Sequence, residues 1–260
     1  MAYLINIILG IIQGLTEFLP VSSSGHLALL EHLFKMEESQ RLSYTAFLHL
    51  GTTLALLYYF RKKIASIITD LFNKSEKTKQ KQSSRLVLMI LIGTIPAAII
   101  GIFALDKLEQ FFSQPYYTGI FLMVTGIILY LTRFAKTQNR ALALRYAIMI
   151  GIAQAIALLP GISRSGITIS TALFLGLSKE DSFEFSFLLS IPAIIGANIL
   201  TFKQISLNLS PVLIILSIII PFVVGIIGLA LLRRFVVNKK LHYFAFYCWL
   251  IGILVFIFLR

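Results

Sequence analysis

The chain of 260 residues has little charge, few acidic groups and almost no cysteine. Charged residues make up 13% of it, whereas ordinary soluble domains carry about 25%. The single cysteine, Cys248, lies in an apolar run, which excludes an internal disulfide framework and a cysteine-rich metal site. Hydrophobic residues account for 58% of the chain, and the mean hydropathy is +0.89. This composition indicates a polytopic membrane protein with a single membrane domain over residues 1–260.

The net charge of +12 arises from 23 basic and 11 acidic residues. The basic residues lie at the ends of apolar segments and in the gaps between them, so they predict membrane topology rather than nucleic-acid binding. The N-terminal stretch has no basic region and no small-residue cleavage motif, and we therefore expect no removable signal peptide.

Six stretches are long and apolar enough to form transmembrane helices: 44–60, 86–105, 117–133, 183–202, 211–232 and 243–259. Residues 1–34 and 141–177 are apolar too, but a short polar run interrupts each of them. Irregular backbone at membrane depth is tolerated only inside protein or against a water-filled cavity. We therefore predict an all-α protein with six transmembrane helices and two re-entrant helix-turn-helix hairpins.

The two interrupted segments resemble each other. Five residues recur 141 positions later, namely Gly10, Gln13, Ser22, Ser24 and Gly25 as Gly151, Gln154, Ser163, Ser165 and Gly166. The pattern predicts internal repeats over about 1–134 and 141–260. Each repeat contains three crossings, an odd number, which gives the two repeats opposite orientations.

Basic residues alternate between the connections in agreement with this topology. Residues 61–85 hold eight of them, while the next connection holds only Lys107. The positive-inside rule then places both termini outside the cytoplasm. The charged stretch 74–84 has no apolar period, and we expect a mobile cytoplasmic loop there.

The polar runs supply the candidate site. Serines stand where a second short helix begins in each hairpin, at 22–24 and 163–165, and the free amides of two such helix starts would form an anion site. Arg164 adds a full charge at depth, and its guanidinium suits phosphate oxygens. The alternative is that Arg164 only neutralises Glu17 and holds the hairpins together.

Gln13 and Glu17 are spaced i, i+4 and share a helix face. Glu17 is a candidate acid/base, metal ligand or partner of Arg164. Ser23 and His26 are three residues apart at a helix start, where the imidazole would approach the hydroxyl or the phosphate that it attacks. His49 is interpreted as a hydrogen-bonded histidine of the core.

The run from Gln13 to His26 (QGLTEFLPVSSSGH) and the run from Pro160 to Thr168 (PGISRSGIT) resemble the bacterial undecaprenyl-diphosphate phosphatase family, also called the bacitracin-resistance family. The resemblance extends over the whole chain. It implies hydrolysis of undecaprenyl diphosphate to undecaprenyl phosphate and inorganic phosphate in the bacterial cell membrane. This reaction recycles the carrier lipid for peptidoglycan and other envelope polymers and confers bacitracin resistance. The resemblance also implies a site that opens mainly to the extracytoplasmic side.

Carried over by position, the resemblance implies four catalytic residues: Glu17, Ser23, His26 and Arg164. It implies that the diphosphate is bound by Gln13, Ser22, Ser163, Arg164, Ser165 and Thr168. Many relatives have a second glutamate at the position of Gln13, so a clamp of two carboxylates is not available here. Mg²⁺ or Ca²⁺ held by Glu17 and the substrate is expected, with no organic cofactor.

The mechanism expected from these residues has Ser23 as nucleophile, His26 as acid/base and Glu17 orienting His26 or holding the metal. Direct attack by water, with Ser23 only a ligand, is the alternative. The expected partners are the polyprenyl diphosphate and the bilayer, and a homodimer is compatible with the sequence. Inverted repeats with broken helices also occur in secondary transporters, so flipping of a polyprenyl phosphate is a second candidate function. A purely structural subunit would leave Arg164 and Glu17 unexplained.

Overall fold

The computed structural model describes residues 2–73, 76–103, 111, 114–136, 138–203, 205 and 209–258. Helices form where the apolar runs were identified. No β-strand occurs among these described residues. In chain order the helices are α1 Ala2–Thr16, α2 Ser23–Leu33, α3 Glu38–Tyr59, α4 Arg61–Phe72, α5 Lys77–Phe103, α6 Pro115–Leu131, α7 Leu144–Ile156, α8 Arg164–Phe174, α9 Lys179–Phe202, α10 Pro211–Val237 and α11 Phe244–Phe258. Short 3₁₀ turns lie at Thr132–Phe134 and Leu241–Tyr243.

Five helical segments are long and apolar enough to cross a membrane: Lys77–Phe103, Pro115–Phe134, Lys179–Phe202, Pro211–Val237 and Leu241–Phe258. They confirm five of the six predicted spans, although residues 104–105 and 259 lie outside the described residues.

The sixth predicted span, 44–60, falls in α3 and is not among these apolar segments. With 22 residues, α3 is about 33 Å long at 1.5 Å per residue, which is sufficient length. Polar side chains lower the mean hydropathy of this helix, and several of them form hydrogen bonds with side chains of other helices. Thr53 Oγ1, for example, accepts a hydrogen bond of 2.8 Å from Asn198 Nδ2 in α9.

Both predicted interruptions are present. The chain leaves helix after Thr16 and resumes at Ser23, and it leaves helix again after Ile156 and resumes at Arg164. The four flanking helices have 15, 11, 13 and 11 residues, fewer than the roughly 20 that a bilayer span needs. Ser22 and Ser163 are the N-caps of α2 and α8, as predicted.

Each interrupted segment packs against a long helix from the other half of the chain. Helix α1 lies along α10, and α7 lies along α5. Glycine makes the close approach possible, since a Cβ at Gly14 would lie 2.7 Å from Val224 Cβ and one at Gly151 would lie 2.1 Å from the Gly93 carbonyl oxygen. The two short segments are therefore held against α10 and α5.

The prediction of a mobile loop over residues 74–84 is wrong for most of this stretch, because α5 begins at Lys77. Lysine and glutamine are good helix formers, and two side chains fix this first part of α5 to α4. Gln80 Nε2 donates to the Leu71 carbonyl at 3.0 Å, and Ser83 Oγ donates to Asp70 Oδ2 at 3.0 Å. Residues 74 and 75 lie outside the described part.

Candidate active site

The carboxylate of Glu17 lies at the end of α1, where the first interruption begins. Its amide donates to the Gln13 carbonyl at 2.9 Å, which continues the helical hydrogen bonding by one residue. The next side chain, Phe18, is 1% exposed and packs edge-on against Phe187 at a ring distance of 5.9 Å. This packing anchors the chain and leaves Glu17 buried, with 6% exposure.

Three side chains donate to Glu17. Arg164 Nη2 forms an ion pair with Oε1. Ser23 Oγ donates to Oε2 at 2.7 Å, and Gln13 Nε2 donates to the same oxygen at 3.1 Å. One carboxylate thus joins the two interrupted segments and holds the Ser23 hydroxyl.

Backbone groups of the two interruptions interlock beside this carboxylate. Ser22 has a φ of 68°, a conformation that is uncommon for a residue other than glycine. Its Oγ accepts from the amides of Gly25 at 3.3 Å and Gly161 at 3.1 Å. Thr125 Oγ1 donates to the Gly161 carbonyl at 2.8 Å and accepts from the Ser163 amide at 3.1 Å. The starts of α2 and α8, each the positive end of a helix dipole, are therefore close together.

A cavity of about 290 Å³ opens against these residues. Five of the predicted site residues line it: Glu17, Ser22, Ser23, Ser163 and Arg164. The Arg164 side chain is 23% exposed and that of Glu17 is 3% exposed. A guanidinium has five N–H donors, so the pairing with Glu17 leaves Arg164 able to donate to a ligand.

His26 is directed away from the cavity, unlike the predicted arrangement. Its Nδ1 donates to the Ser22 carbonyl at 2.8 Å, because a carbonyl can only accept, and its Nε2 accepts from the Tyr247 hydroxyl at 2.8 Å. The two rings also stack at 5.6 Å. Both ring nitrogens are thus engaged with groups other than Ser23.

Three further predicted residues lie behind the cavity wall. Gln13 is fully buried and contacts Glu17. Thr168 Oγ1 donates to the Arg164 carbonyl at 2.7 Å within α8. Ser165 Oγ lies 3.3 Å from Ser163 Oγ. These residues support the lining groups in the structure.

Ser24, His49 and Gln154 also line the cavity, although the sequence analysis placed none of them among the catalytic or diphosphate-binding residues. His49 was interpreted as a core histidine, but it lines the cavity within electrostatic reach of both Glu17 and Arg164. The repeat offered a signal for Gln154, which occupies the position equivalent to Gln13. No pattern in the sequence distinguished His49.

The donor set does not form a protein-held site for Mg²⁺ or Ca²⁺. Such cations prefer several carboxylate or carbonyl oxygens, and Glu17 already accepts hydrogen bonds at both of its oxygens. Within the described part of the chain, no group of three His, Cys, Asp or Glu side chains could hold a metal ion. A role for Glu17 in metal binding stays a prediction that this arrangement does not favour, and we derive no step from it.

The arrangement combines a hydroxyl, a carboxylate that can accept its proton, a guanidinium and two helix starts around one cavity. A hydroxyl activated by a base can attack an electrophile, and fixed positive charge stabilises a developing anion. This combination suits transfer of an anionic group such as phosphoryl.

Comparison with known proteins agrees with this chemistry. The family described as "Bacitracin resistance protein BacA" matches residues 6–254. Three similar relatives carry the name undecaprenyl-diphosphatase. That of Methanococcus vannielii is 43% identical and covers 96% of this chain and 98% of its own length. That of Thermosipho africanus is 42% identical with the same coverage, and that of Korarchaeum cryptofilum is 40% identical over 95% of both chains. The chain therefore belongs to the bacitracin resistance protein BacA family.

Proposed function

We propose that the chain hydrolyses undecaprenyl diphosphate, or a closely related polyprenyl diphosphate, to the monophosphate and inorganic phosphate. The name shared by its relatives supports the substrate. The observation that carries the proposal is the contact of Ser23 Oγ with Glu17 Oε2 at 2.7 Å, beside Arg164 in one cavity.

The diphosphate binds where the two helix starts meet. The free N–H groups of Arg164 and the amides at the start of α8 donate to its nonbridging oxygens. The same donors stabilise the charge that develops as the phosphoanhydride bond breaks, which is the main contribution that a protein makes to phosphoryl transfer.

Ser23 Oγ attacks the terminal phosphorus while Glu17 Oε2 accepts its proton. The bond from that phosphorus to the bridging oxygen breaks, and polyprenyl phosphate leaves. Water then attacks the phosphoserine, which releases inorganic phosphate and restores the Ser23 hydroxyl. Direct attack by water, with Glu17 as its base, uses the same groups and differs only in the absence of the covalent step.

His26 acts indirectly in this proposal. Its hydrogen bond to the Ser22 carbonyl holds the left-handed turn from which α2 begins. The Tyr247 hydroxyl fixes the other ring nitrogen. Removal of the imidazole therefore misplaces Ser23 rather than removing a proton carrier from the cavity.

The polyprenyl chain stays outside the cavity, whose volume of about 290 Å³ suits a headgroup. On α9, Ala193 and Ala197 line the cavity, and Ala197 is exposed. The lipid tail enters laterally past these small side chains, so the bilayer itself delivers the substrate.

The helix arrangement is proposed to be an inverted repeat with two re-entrant hairpins, with both termini outside the cytoplasm. The exchange of partners between halves, α1 on α10 and α7 on α5, supports it. The site then opens mainly to the extracytoplasmic side. Recycling of the carrier lipid for envelope polymers, and hence bacitracin resistance, follows from the reaction.

The test is phosphate release by purified protein in detergent from undecaprenyl diphosphate, with rapid acid quench to trap phosphoserine. Wild-type protein is expected to release phosphate, and Arg164→Ala to release none while it stays folded. Protein that releases no phosphate but, after reconstitution into vesicles, moves the lipid between leaflets would support the transporter alternative and overturn the proposal. An active Ser23→Ala variant would remove the covalent route in favour of direct attack by water.

A further inference from the structure

Gln154 is a buried amide that lines the candidate active site and has no partner within the described part of the chain. The residue is 2% exposed, and neither its Nε2 nor its Oε1 forms a hydrogen bond there. It lies in the last turn of α7 and contributes to the wall of the same cavity as Arg164. Since nearly all buried polar groups are hydrogen-bonded in folded proteins, this amide needs a specific explanation.

Gln13, the equivalent residue of the first repeat, does have hydrogen-bond partners. Gln13 Nε2 donates to Glu17 at 3.1 Å and lies 3.5 Å from Thr52 Oγ1. The residue 141 positions after Glu17 is Leu158, which also lines the cavity. A leucine offers no acceptor, so the second repeat keeps the amide without the carboxylate that it serves in the first.

We infer that Gln154 is a substrate-binding residue whose Nε2 donates to a nonbridging oxygen of the bound diphosphate. The anion takes the place that the Glu17 carboxylate has for Gln13. This inference rests on the proposed hydrolase function and adds a group that holds the phosphate from the side of α7. The Oε1 atom can accept from a water molecule or a protonated phosphate oxygen.

If Gln154 binds substrate, replacing it with an apolar side chain should lower activity without lowering stability. A glutamine that held the fold together would cost stability when it was replaced by an apolar side chain. A buried amide without protein partners has the opposite behaviour, because an apolar side chain of similar shape removes its desolvation cost. Gln154→Met, which keeps an unbranched side chain of similar length, is the variant that distinguishes the two.

Gln154→Met is expected to leave the thermal midpoint in detergent unchanged or raised. Its kcat/KM for farnesyl diphosphate, a short-chain polyprenyl diphosphate, should fall about 10- to 100-fold, the effect of losing one hydrogen bond to a charged group. Gln154→Glu, which adds a negative charge next to the anion, should reduce kcat/KM further. Binding of the methylene-bridged analogue of farnesyl diphosphate should weaken in parallel.

Asn6→Leu is the matched control. Asn6 Nδ2 donates to the Leu213 carbonyl at 3.1 Å and to Ser217 Oγ at 2.7 Å, away from the cavity. Its replacement should lower the thermal midpoint without a change in kcat/KM. Gln154→Met should therefore lower kcat/KM without lowering the thermal midpoint, and Asn6→Leu should lower the thermal midpoint without lowering kcat/KM.

Wild-type kcat/KM and analogue binding for Gln154→Met would overturn the inference, and so would a fall in its thermal midpoint like that of Asn6→Leu. Phosphate release by the wild-type protein separates this failure from failure of the proposed function. If the wild type releases phosphate and Gln154→Met matches it, only the role of Gln154 is refuted. If the wild type releases none, the hydrolase proposal itself fails, and the inference with it.

Discussion

The ion pair between Arg164 and Glu17 allows the anion site to be distinguished from a simple lock between the two hairpins. Removing one partner of a buried pair costs about 3–5 kcal/mol, because the other charge is left without compensation. The cost should depend on which partner remains. Arg164→Leu leaves Glu17, whose side chain is 3% exposed, so the upper part of that range applies.

Glu17→Gln leaves Arg164, whose side chain is 23% exposed to the cavity. Water screens this charge, and the expected cost is smaller, about 1–2 kcal/mol. The double variant Glu17→Gln/Arg164→Leu has no uncompensated charge and should lie within about 1 kcal/mol of the wild type. The coupling energy of the cycle is then about 4–7 kcal/mol, above the usual range of about 0.5–3 kcal/mol for residues in contact.

The assay combines the thermal midpoint in detergent with phosphate release. At roughly 2–4 °C per kcal/mol, Arg164→Leu should lower the midpoint by about 8–20 °C, and the double variant should recover it. Phosphate release should be at least about 10²–10³-fold lower in all three variants, because the double variant restores the fold but neither the Arg164 donors to the phosphate nor the Glu17 base. Recovery of activity together with stability in the double variant would refute both the anion site and the role of Glu17 as base, and would leave the ion pair as a lock between the hairpins.

Three further outcomes follow from the site. Tyr247→Phe should lower kcat/KM by about tenfold or less, the value of one hydrogen bond, and His26→Ala should lower kcat/KM further. A loss of more than about tenfold for Tyr247→Phe would contradict the indirect role of His26. Substrate-free protein should show no heat of Mg²⁺ binding by calorimetry, because Glu17 is its only cavity carboxylate among the described residues; saturable binding abolished by Glu17→Gln would contradict this. Ala197→Trp should raise KM for undecaprenyl diphosphate more than for farnesyl diphosphate, and an equal effect on both would refute lateral entry at α9.

Much of this architecture could be predicted because its signals are local. The polar runs around Ser22 and Ser163 contain the proline, glycine and serine residues that end one helix and cap the next. The apolar runs fix five spans by length alone. The start of α5 could not be predicted in this way, since its lysines and glutamines carry no apolar period and the helix depends on contacts with α4.

The parts of the site that sequence analysis missed depend on tertiary contacts. The spacing of Ser23 and His26 predicted a contact between them, but a positive φ at Ser22 and the distant hydroxyl of Tyr247 direct the imidazole elsewhere. The Arg164–Glu17 pair joins residues 147 positions apart and could only be stated as one of two alternatives. His49 acquires its position from the packing of α3, and nothing in its neighbours along the chain indicates it.

The most direct measurement of the central claim is the stoichiometry of phosphate and polyprenyl monophosphate released by purified protein from undecaprenyl diphosphate, with Glu17→Gln compared with the wild type. The proposed mechanism predicts one inorganic phosphate for each monophosphate from the wild type and loss of both products from Glu17→Gln. Wild-type protein that forms neither product, or Glu17→Gln with undiminished release, would contradict it.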